Sequence, residues 1–298
     1  MLNASVLVPS IGFGLVTASI LALASVGFTL QFGVTNILNL AFGDIMTASA
    51  FVGYAVNRAG GDIAESMLAG AAFGAVFSMV LNRYVYMRFI HRGTNLFGMV
   101  VVALSLGIVI QNLLLAIYGA TFFTYNFSAG GQEHFLGMIF DTSQLVIIAI
   151  AVGSMAAVGL ILTRTRLGKA MRATAADPSL ARASGIATDR VIDVAWLMSG
   201  ALCGLAGIVL VLNTSAFQST TGNDFLVVIV AAAMLGGVGS PVGAMLASIV
   251  IGVVTEVSAG FISPSFKEVI AFGVLVVVLL VRPQGIFGHA SAVKEVAV

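Results

Sequence analysis

The sequence has few charged residues and few residues that interrupt helices. Of its 298 residues, only 8% are charged, 59% are hydrophobic, and 5 are prolines. A soluble domain carries about 25% charged residues, and one globular core cannot enclose so much apolar side chain and still present a polar surface. The composition therefore excludes a soluble enzyme, a disordered chain and a secreted disulfide scaffold, and it indicates an integral membrane protein.

Further absences narrow the function. The single cysteine, Cys203, cannot form an internal disulfide, and the net charge of +1 argues against nucleic acid as a partner. The 3 histidines lack metal-ligand spacing. Gly168 and Lys169 are followed by Ala170, so the phosphate-binding loop motif is missing. We therefore expect no enzyme activity, no catalytic residues, no metal and no cofactor bound by this chain.

Long apolar runs predict an all-α fold, a polytopic transmembrane helix bundle. A spanning helix needs roughly 20 mainly apolar residues, which gives about 8–9 spans in one transmembrane domain over residues 1–298. The run at 225–238 is short and leads into a glycine-rich stretch, so it is either a full crossing or a half-helix that re-enters. The runs fall at 6–30, 34–56, 62–82, 94–118, 144–163, 194–213, 225–238, 241–260 and 267–281.

Positive charges are unevenly placed between these runs. Eleven of the 13 Lys and Arg residues fall on one side, which the positive-inside rule assigns to the cytoplasm together with the C-terminus. Arg58 and Lys267 remain for the other side, where we expect Glu256 to take part in an ion pair at the rim. The eleven are Arg83, Arg88, Arg92, Arg164, Arg166, Lys169, Arg172, Arg182, Arg190, Arg282 and Lys294.

Polar residues interrupt the second apolar run. Asn36, Asn39 and Asp44, with Gly43 beside the acid, lie in an otherwise apolar stretch, with Asp44 about 10 residues into the predicted span. A carboxylate at that depth costs about 2.5–3.5 kcal/mol and should face a partner or a wet cavity. The group either lines a polar pathway or gate, or hydrogen-bonds to neighbouring helices and fixes their packing. The clustering favours the pathway.

Small residues recur at helical spacing in two other runs. Gly70 and Gly74 are separated by three residues, as are Gly200 and Gly204. This spacing lets helix backbones approach closely. We predict that both pairs are packing sites.

The polar segment 164–193 is too polar to cross the membrane and too short to be a domain. Its basic start places it on the anionic cytoplasmic surface. Asp177 can cap a helix that begins at Pro178, and Gly185 can close it after about two turns. This short helix either docks a soluble partner or belongs to an ordinary solvated loop.

Three stretches give the sequence a family resemblance. It resembles the branched-chain amino-acid permeases of bacterial ABC importers, specifically the smaller of their two permease subunits. One departure is that Phe42, Gly43 and Asp44 stand where the family commonly has His-Gly-Glu. The stretches are TNILNLAFGD (Thr35 to Asp44), RLGKAMRATAADPSLARASGI (Arg166 to Ile186) and VRPQGIFG (Val281 to Gly288).

The resemblance implies a multi-pass permease subunit of the bacterial inner membrane, surrounded by lipid. Its partners would be a second homologous permease, two cytoplasmic ATPases that bind ATP, and a periplasmic binding protein that delivers branched-chain or related small amino acids. Urea or short amides are the alternative substrates within the family, and an ion-coupled secondary transporter is the alternative class. The implied pathway residues are Asn36, Asn39, Gly43 and Asp44, and the implied ATPase-coupling residues are Arg172, Asp177, Pro178, Gly185 and Ile186.

Overall fold

The computed structural model is dominated by helices, and it describes residues 4–126, 131–135, 138–237, 239–282 and 285–286. In the described residues, strands β1 (Gln132–Phe135) and β2 (Met138–Asp141) form one antiparallel hairpin. The all-α prediction is confirmed. The α-helices are α1 (Ala4–Thr35), α2 (Phe42–Arg58), α3 (Ile63–Leu81), α4 (Met87–His91), α5 (Leu96–Tyr118), α6 (Thr142–Arg164), α7 (Arg166–Ala176), α8 (Pro178–Ala183), α9 (Thr188–Thr214), α10 (Thr221–Gly236), α11 (Pro241–Phe261) and α12 (Lys267–Val281).

Seven helical segments of the described chain are long and apolar enough to cross a membrane. Two further helices are shorter than the roughly 20 residues of a full crossing: α2 has 17 residues and α10 has 16. A π-helical turn, Asn82–Tyr86, joins α3 to α4, so these elements form one span. The segments are Leu7–Thr35, Ile63–His91, Leu96–Tyr118, Thr142–Arg164, Thr188–Thr214, Pro241–Phe261 and Pro264–Val281.

The chain forms two compact units. We call Leu30–Ser128 with Ala156–Leu226 the α2–α9 unit, and Met1–Thr29 with Ala129–Met155 and Val227–Val298 the α11–α12 unit. Helices α1, α6 and α10 each contribute to both. Half of the C-terminal motif, residues 283–284 and 287–288, lies outside the described residues, as does Lys294.

In the α11–α12 unit, helix α1 packs closely on α11. A Cβ on Gly252 would come within 2.6 Å of the Ala18 backbone. The Lys267 Nζ lies 2.6 Å from Glu256 Oε1, and the Thr17 hydroxyl donates to the same oxygen at 2.9 Å. The predicted ion pair is therefore present, with a third group attached to it.

In the α2–α9 unit, two glycine stripes bring α3 and α9 into backbone contact. A Cβ on Gly74 would overlap the carbonyl oxygen of Gly200, and a Cβ on Gly200 would overlap that of Gly74. One turn along, a Cβ on Gly204 would overlap the carbonyl oxygen of Gly70. The predicted packing role of both glycine pairs is confirmed.

The polar segments on either side of α3 lie at opposite ends of the α2–α9 unit. At one end, Asn82 donates to Asp193 at 3.1 Å, and Arg83 lies 3.5 Å from the same carboxylate. This contact places the basic loop before α5 beside the 164–193 segment. At the start of α3, about 28 Å away along the helix axis, the Asn126 amide donates to Asn57 at 2.7 Å. The two largest basic clusters therefore share one end, as the charge pattern predicts.

The backbone contact makes a testable prediction. Gly204→Ala should lower the free energy of unfolding by about 1–3 kcal/mol, because the new methyl group forces two backbones apart. Gly153→Ala is the control, since a Cβ on Gly153 would meet nothing within 4 Å. SDS-induced unfolding in mixed micelles measures both. Equal stability of the two variants would contradict the close contact.

Candidate translocation and docking sites

A break in the chain between α1 and α2 positions the predicted pathway residues. Asn36 ends α1 in the left-handed region, with φ of 54° and its amide donating to the Phe32 carbonyl at 2.7 Å. Asparagine tolerates this conformation better than most residues, and its side chain is exposed. Residues 36–41 are not α-helical. The helical part of the predicted 34–56 span therefore starts only at Phe42.

Asn39, within this break, is fully buried and connects several elements. Its Oδ1 accepts hydrogen bonds from the Tyr86 hydroxyl at 2.7 Å and from the Ala41 amide at 3.1 Å. Its Nδ2 donates to Gln31 Oε1 at 3.4 Å, which also accepts from Ser199 at 3.3 Å. These bonds join the end of α1, the π turn and α9. They support the packing alternative for Asn39, whereas its pathway role stays a prediction.

Gly43 and Asp44 lie in the first turn of α2 rather than deep inside a helix. Gly43 packs against the backbone of Gly222, and a Cβ on either glycine would overlap the carbonyl oxygen of the other. Asp44 is 3% exposed. Its Oδ2 lies where a Cβ on Gly107 of α5 would fall, and its Oδ1 has no hydrogen-bond partner among the described residues. Asp44 is thus a buried acid with a carboxylate oxygen that no described group hydrogen-bonds.

The start of α10 adds residues that the sequence interpretation missed. The Gly222 amide donates to the Thr47 hydroxyl at 2.9 Å, so the first turn of α10 is held against α2. Asp224 lies in this turn with an exposed side chain, and the Thr220 hydroxyl donates to it at 3.2 Å. Asp224 was not considered a candidate because the predicted apolar run begins one residue after it, at 225. The one signal in the sequence is that this acid directly precedes a run too short to cross the membrane.

A small, mainly apolar cavity adjoins this contact between α2 and α10. Thr47, Thr221 and Gly222 line its polar part, and the remaining lining comes from α2, α9 and the loop after α9. The apolar lining residues are Met46, Ala50, Gly207, Leu210, Val211 and Phe217. The cavity therefore offers an apolar surface next to polar groups.

The second candidate site is the helical segment formed by α7 and α8. Asp177 Oδ1 accepts from the amides of Ser179 at 2.9 Å and Leu180 at 3.0 Å, so it caps α8 at Pro178. Gly185 follows the helix with φ of 84°, which favours glycine. The predicted short capped helix is confirmed, and Leu180 on it is 64% exposed.

The cap depends on the ionised form of Asp177. A hydrogen bond from the Ser179 side chain, with those from the Leu180 and Ser179 amides, lowers the pKa of the Asp177 carboxyl. A lowered folded-state pKa means that the cap stabilises α8 above the usual carboxyl pKa and is lost as the pH falls through the lowered value. The helix is therefore fully capped at neutral pH.

The segment is anchored to the helices of the same unit. Met171 of α7 is buried against Val34, Val191 and Ala195, and Ile186 packs on this cluster. Arg172 donates to the Leu162 carbonyl at 3.0 Å and so satisfies a free carbonyl near the end of α6. Arg172 and Ile186 thus hold the segment in place. The caps and anchors together present α8 as an ordered surface.

The described residues contain no group of three or more His, Cys, Asp and Glu side chains able to hold a metal ion. They form a helical bundle with several candidate spans, in which a non-helical break with polar residues separates α1 from α2 and in which α7 and α8 form an ordered polar segment. These features are those of a membrane transport permease.

Comparison with known proteins identifies the family. The profile of the family described as branched-chain amino acid transport system / permease component matches residues 10–279. The chain therefore belongs to this family of permease components.

Individual relatives agree with this assignment. The high-affinity branched-chain amino acid permease protein LivH of Escherichia coli is 28% identical, over 94% of this chain and 95% of its own. The corresponding protein BraD of Pseudomonas aeruginosa is 29% identical over the same shares. A solved structure, PsaBC from Streptococcus pneumoniae in complex with Fab, covers 91% of both chains with a TM-score of 0.51 and 14% identity. That likeness shows the fold alone.

The Asn39 network gives a prediction that does not depend on transport. Tyr86→Phe removes the hydroxyl that donates to Asn39 and should lower the free energy of unfolding by about 0.5–1.5 kcal/mol. Tyr84→Phe is the control, because Tyr84 is 56% exposed. SDS-induced unfolding compares the two. A loss of the same size in both variants would show that the buried hydrogen bond contributes nothing.

Proposed function

We propose that this chain is the permease subunit of an ATP-driven importer for branched-chain amino acids. The family match over residues 10–279 is the observation that carries the proposal. Relatives whose names specify branched-chain amino acids cover nearly the whole chain, which supports this substrate over urea or short amides. The chain itself binds no cofactor and hydrolyses no ATP. Separate ATPase subunits carry out that reaction.

The proposed assembly follows from the resemblance. A second homologous permease subunit pairs with this chain, two ATPases bind on the cytoplasmic side, and a binding protein delivers substrate from the periplasm. The C-terminus lies in the cytoplasm, where the positive-inside rule puts the basic segments. Asn36, Asn39, Gly43 and Asp44 line the pathway, and Asn39 also joins the end of α1 to the π-helical turn.

The α7–α8 segment receives the force of ATP binding. Its exposed Leu180 is flanked by a capped helix start and by Arg182, whose guanidinium contacts Thr188 at 3.0 Å and Asp189 at 3.0 Å. An ordered helix transmits displacement better than a solvated loop, because it moves as one body with the helices on which it packs.

The proposal is tested by reconstituting the complete complex in proteoliposomes and measuring leucine uptake. With the ATPase subunits inside the vesicles, leucine uptake should require ATP in the vesicle interior. Uptake should continue when an uncoupler dissipates the ion gradients. Uptake that stops with the uncoupler while ATP is maintained would identify an ion-coupled transporter instead. Uptake of urea but not leucine would overturn the substrate.

A docking variant tests the coupling role. Asp177→Ala should weaken association with the ATPase, because loss of an N-cap costs about 0.5–2 kcal/mol of helix stability. Co-purification of the ATPase with the membrane-inserted variant measures this effect. Asp62→Ala, at the start of α3 at the opposite end of the unit, is the matched control. Normal ATPase binding and uptake in Asp177→Ala would count against docking through α8.

A pathway variant separates transport from packing. Asp44→Asn keeps the side-chain shape but removes the acid, so leucine uptake should fall about tenfold while folding yield is maintained, since a buried acid without full pairing contributes little to stability. Uptake per inserted complex and yield after purification are both measured. Normal uptake with a reduced yield would assign Asp44 to packing.

A further inference from the structure

Helix α9 is attached at its start to the α7–α8 segment. Arg182 of α8 donates to the Thr188 hydroxyl at 3.0 Å and forms an ion pair with Asp189 at 3.0 Å. Met171 of α7 is buried together with Val191 in one apolar cluster. A displacement of the α7–α8 segment therefore acts first on the start of α9.

The next part of α9 contacts the π-helical turn Asn82–Tyr86. Asn82 donates to the Asp193 carboxylate at 3.1 Å. The rings of Trp196 and Tyr86 pack with their centroids 4.9 Å apart, and both side chains are fully buried. π-helical turns are rare and frequently lie at functional sites. This one is joined to α9 at both of its ends.

Tyr86, the last residue of the π turn, also reaches the break between α1 and α2. Its hydroxyl donates to Asn39 Oδ1 at 2.7 Å, and the same oxygen accepts from the Ala41 amide at 3.1 Å. The Asn39 carbonyl accepts from the Phe42 amide at 3.2 Å. Tyr86 therefore holds the residue from which α2 starts.

Several buried polar atoms in this network form no hydrogen bond. Within the part of the chain that the structure describes, Gln31 Nε2, Asn82 Oδ1 and Trp196 Nε1 have no partner. Gln31 belongs to the network because its Oε1 accepts from Asn39 and from Ser199. Buried polar groups are normally paired. Two free donors and one free acceptor beside the π turn leave room for a second pattern of hydrogen bonds when the helices shift.

We propose that the π turn Asn82–Tyr86 passes movement of the α7–α8 segment to the break between α1 and α2. Asp193 and Tyr86 are the positioning residues at the two ends of the turn. Movement of α9 displaces Asn82 through Asp193, and Tyr86 then displaces Asn39 with the first turn of α2. This inference rests on the proposed function and names the residues through which the docking segment acts on the pathway.

The first arm of the test measures leucine uptake and ATP hydrolysis together, in the complete complex in proteoliposomes. Tyr86→Phe and Asp193→Ala should each lower the leucine taken up per ATP hydrolysed by about three- to tenfold, the range expected for loss of one hydrogen bond. A role in stability alone would reduce the number of active complexes and leave this ratio unchanged.

Two further variants serve as rescue and control. Asp193→Asn should restore most of the ratio, because its amide oxygen still accepts from Asn82. Tyr84→Phe is the matched control, since Tyr84 lies in the same turn and is 56% exposed. Its ratio should equal that of the wild type.

The second arm follows the turn itself and needs no leucine. A trifluoromethyl-phenylalanine introduced in place of Tyr84 reports on the π turn by fluorine NMR of the complete complex. Its resonance should move when a non-hydrolysable ATP analogue binds. The movement should be absent in Asp193→Ala and present in Asp193→Asn. The same label in place of Leu68, an exposed residue of α3 remote from the turn, is the control and should not respond.

The outcomes separate this inference from the proposed function. A wild-type complex that takes up no leucine refutes the proposed function, whereas the response of the label at position 84 still tests the turn. Wild-type uptake with an unchanged ratio in Tyr86→Phe, or with a label at position 84 that ignores the nucleotide, overturns the inference alone. These two measurements decide the question if Asp193→Ala fails to insert.

A double variant tests whether both residues act through one turn. Tyr86→Phe combined with Asp193→Ala should lose no more than the larger of the two single losses, because residues of one network do not act additively. Losses that multiply in the double variant would mean two independent effects and would also overturn the inference.

Discussion

Direct backbone contact between helices is the constraint on which the α2–α9 unit depends. In lipid, apolar side chains gain nothing by leaving the solvent, so helices associate through close packing and polar contacts. Glycine pairs allow α3 and α9 to touch, and the same kind of contact between Gly43 and Gly222 holds α10 against α2. Each contact also fixes the residues beside it. The Gly43–Gly222 contact therefore fixes the first turns of α2 and α10, which carry Asp44 and Asp224.

Asn39 and Asp44 are both buried polar residues of this unit, but they bond differently. Asn39 uses its oxygen and nitrogen in bonds to Tyr86, Ala41 and Gln31, and these bonds connect the elements that carry the four residues. Asp44 is equally buried but keeps one oxygen without a protein partner. The two residues are five positions apart and similar in size. Their different bonding gives Asn39 a role in joining helices that Asp44 lacks, in addition to its predicted place on the pathway.

The α7–α8 segment is held in place by contacts between near neighbours in the chain and by contacts with other helices. The caps at Asp177 and Gly185 act within a few residues, whereas Met171 and Arg172 reach other helices of the unit. Caps alone define a short helix that is marginal in water. The packing of α7 on Val34, Val191 and Ala195 supplies the order that the caps cannot. The proposed coupling therefore depends on both.

The sequence by itself determined the features that depend on composition and on near neighbours in the chain. The spans follow from apolar runs, the α8 helix follows from Asp177, Pro178 and Gly185, and the glycine contacts follow from four-residue spacing. The tertiary structure alone decided that α2 starts at Phe42, that Asn39 bonds to Tyr86 and Gln31, and that the first turn of α10 lies against the first turn of α2. The physical reason is distance along the chain. Hydropathy and capping act over a few residues, but the contact between Gly43 and Gly222 joins segments far apart in sequence, and no local pattern encodes it.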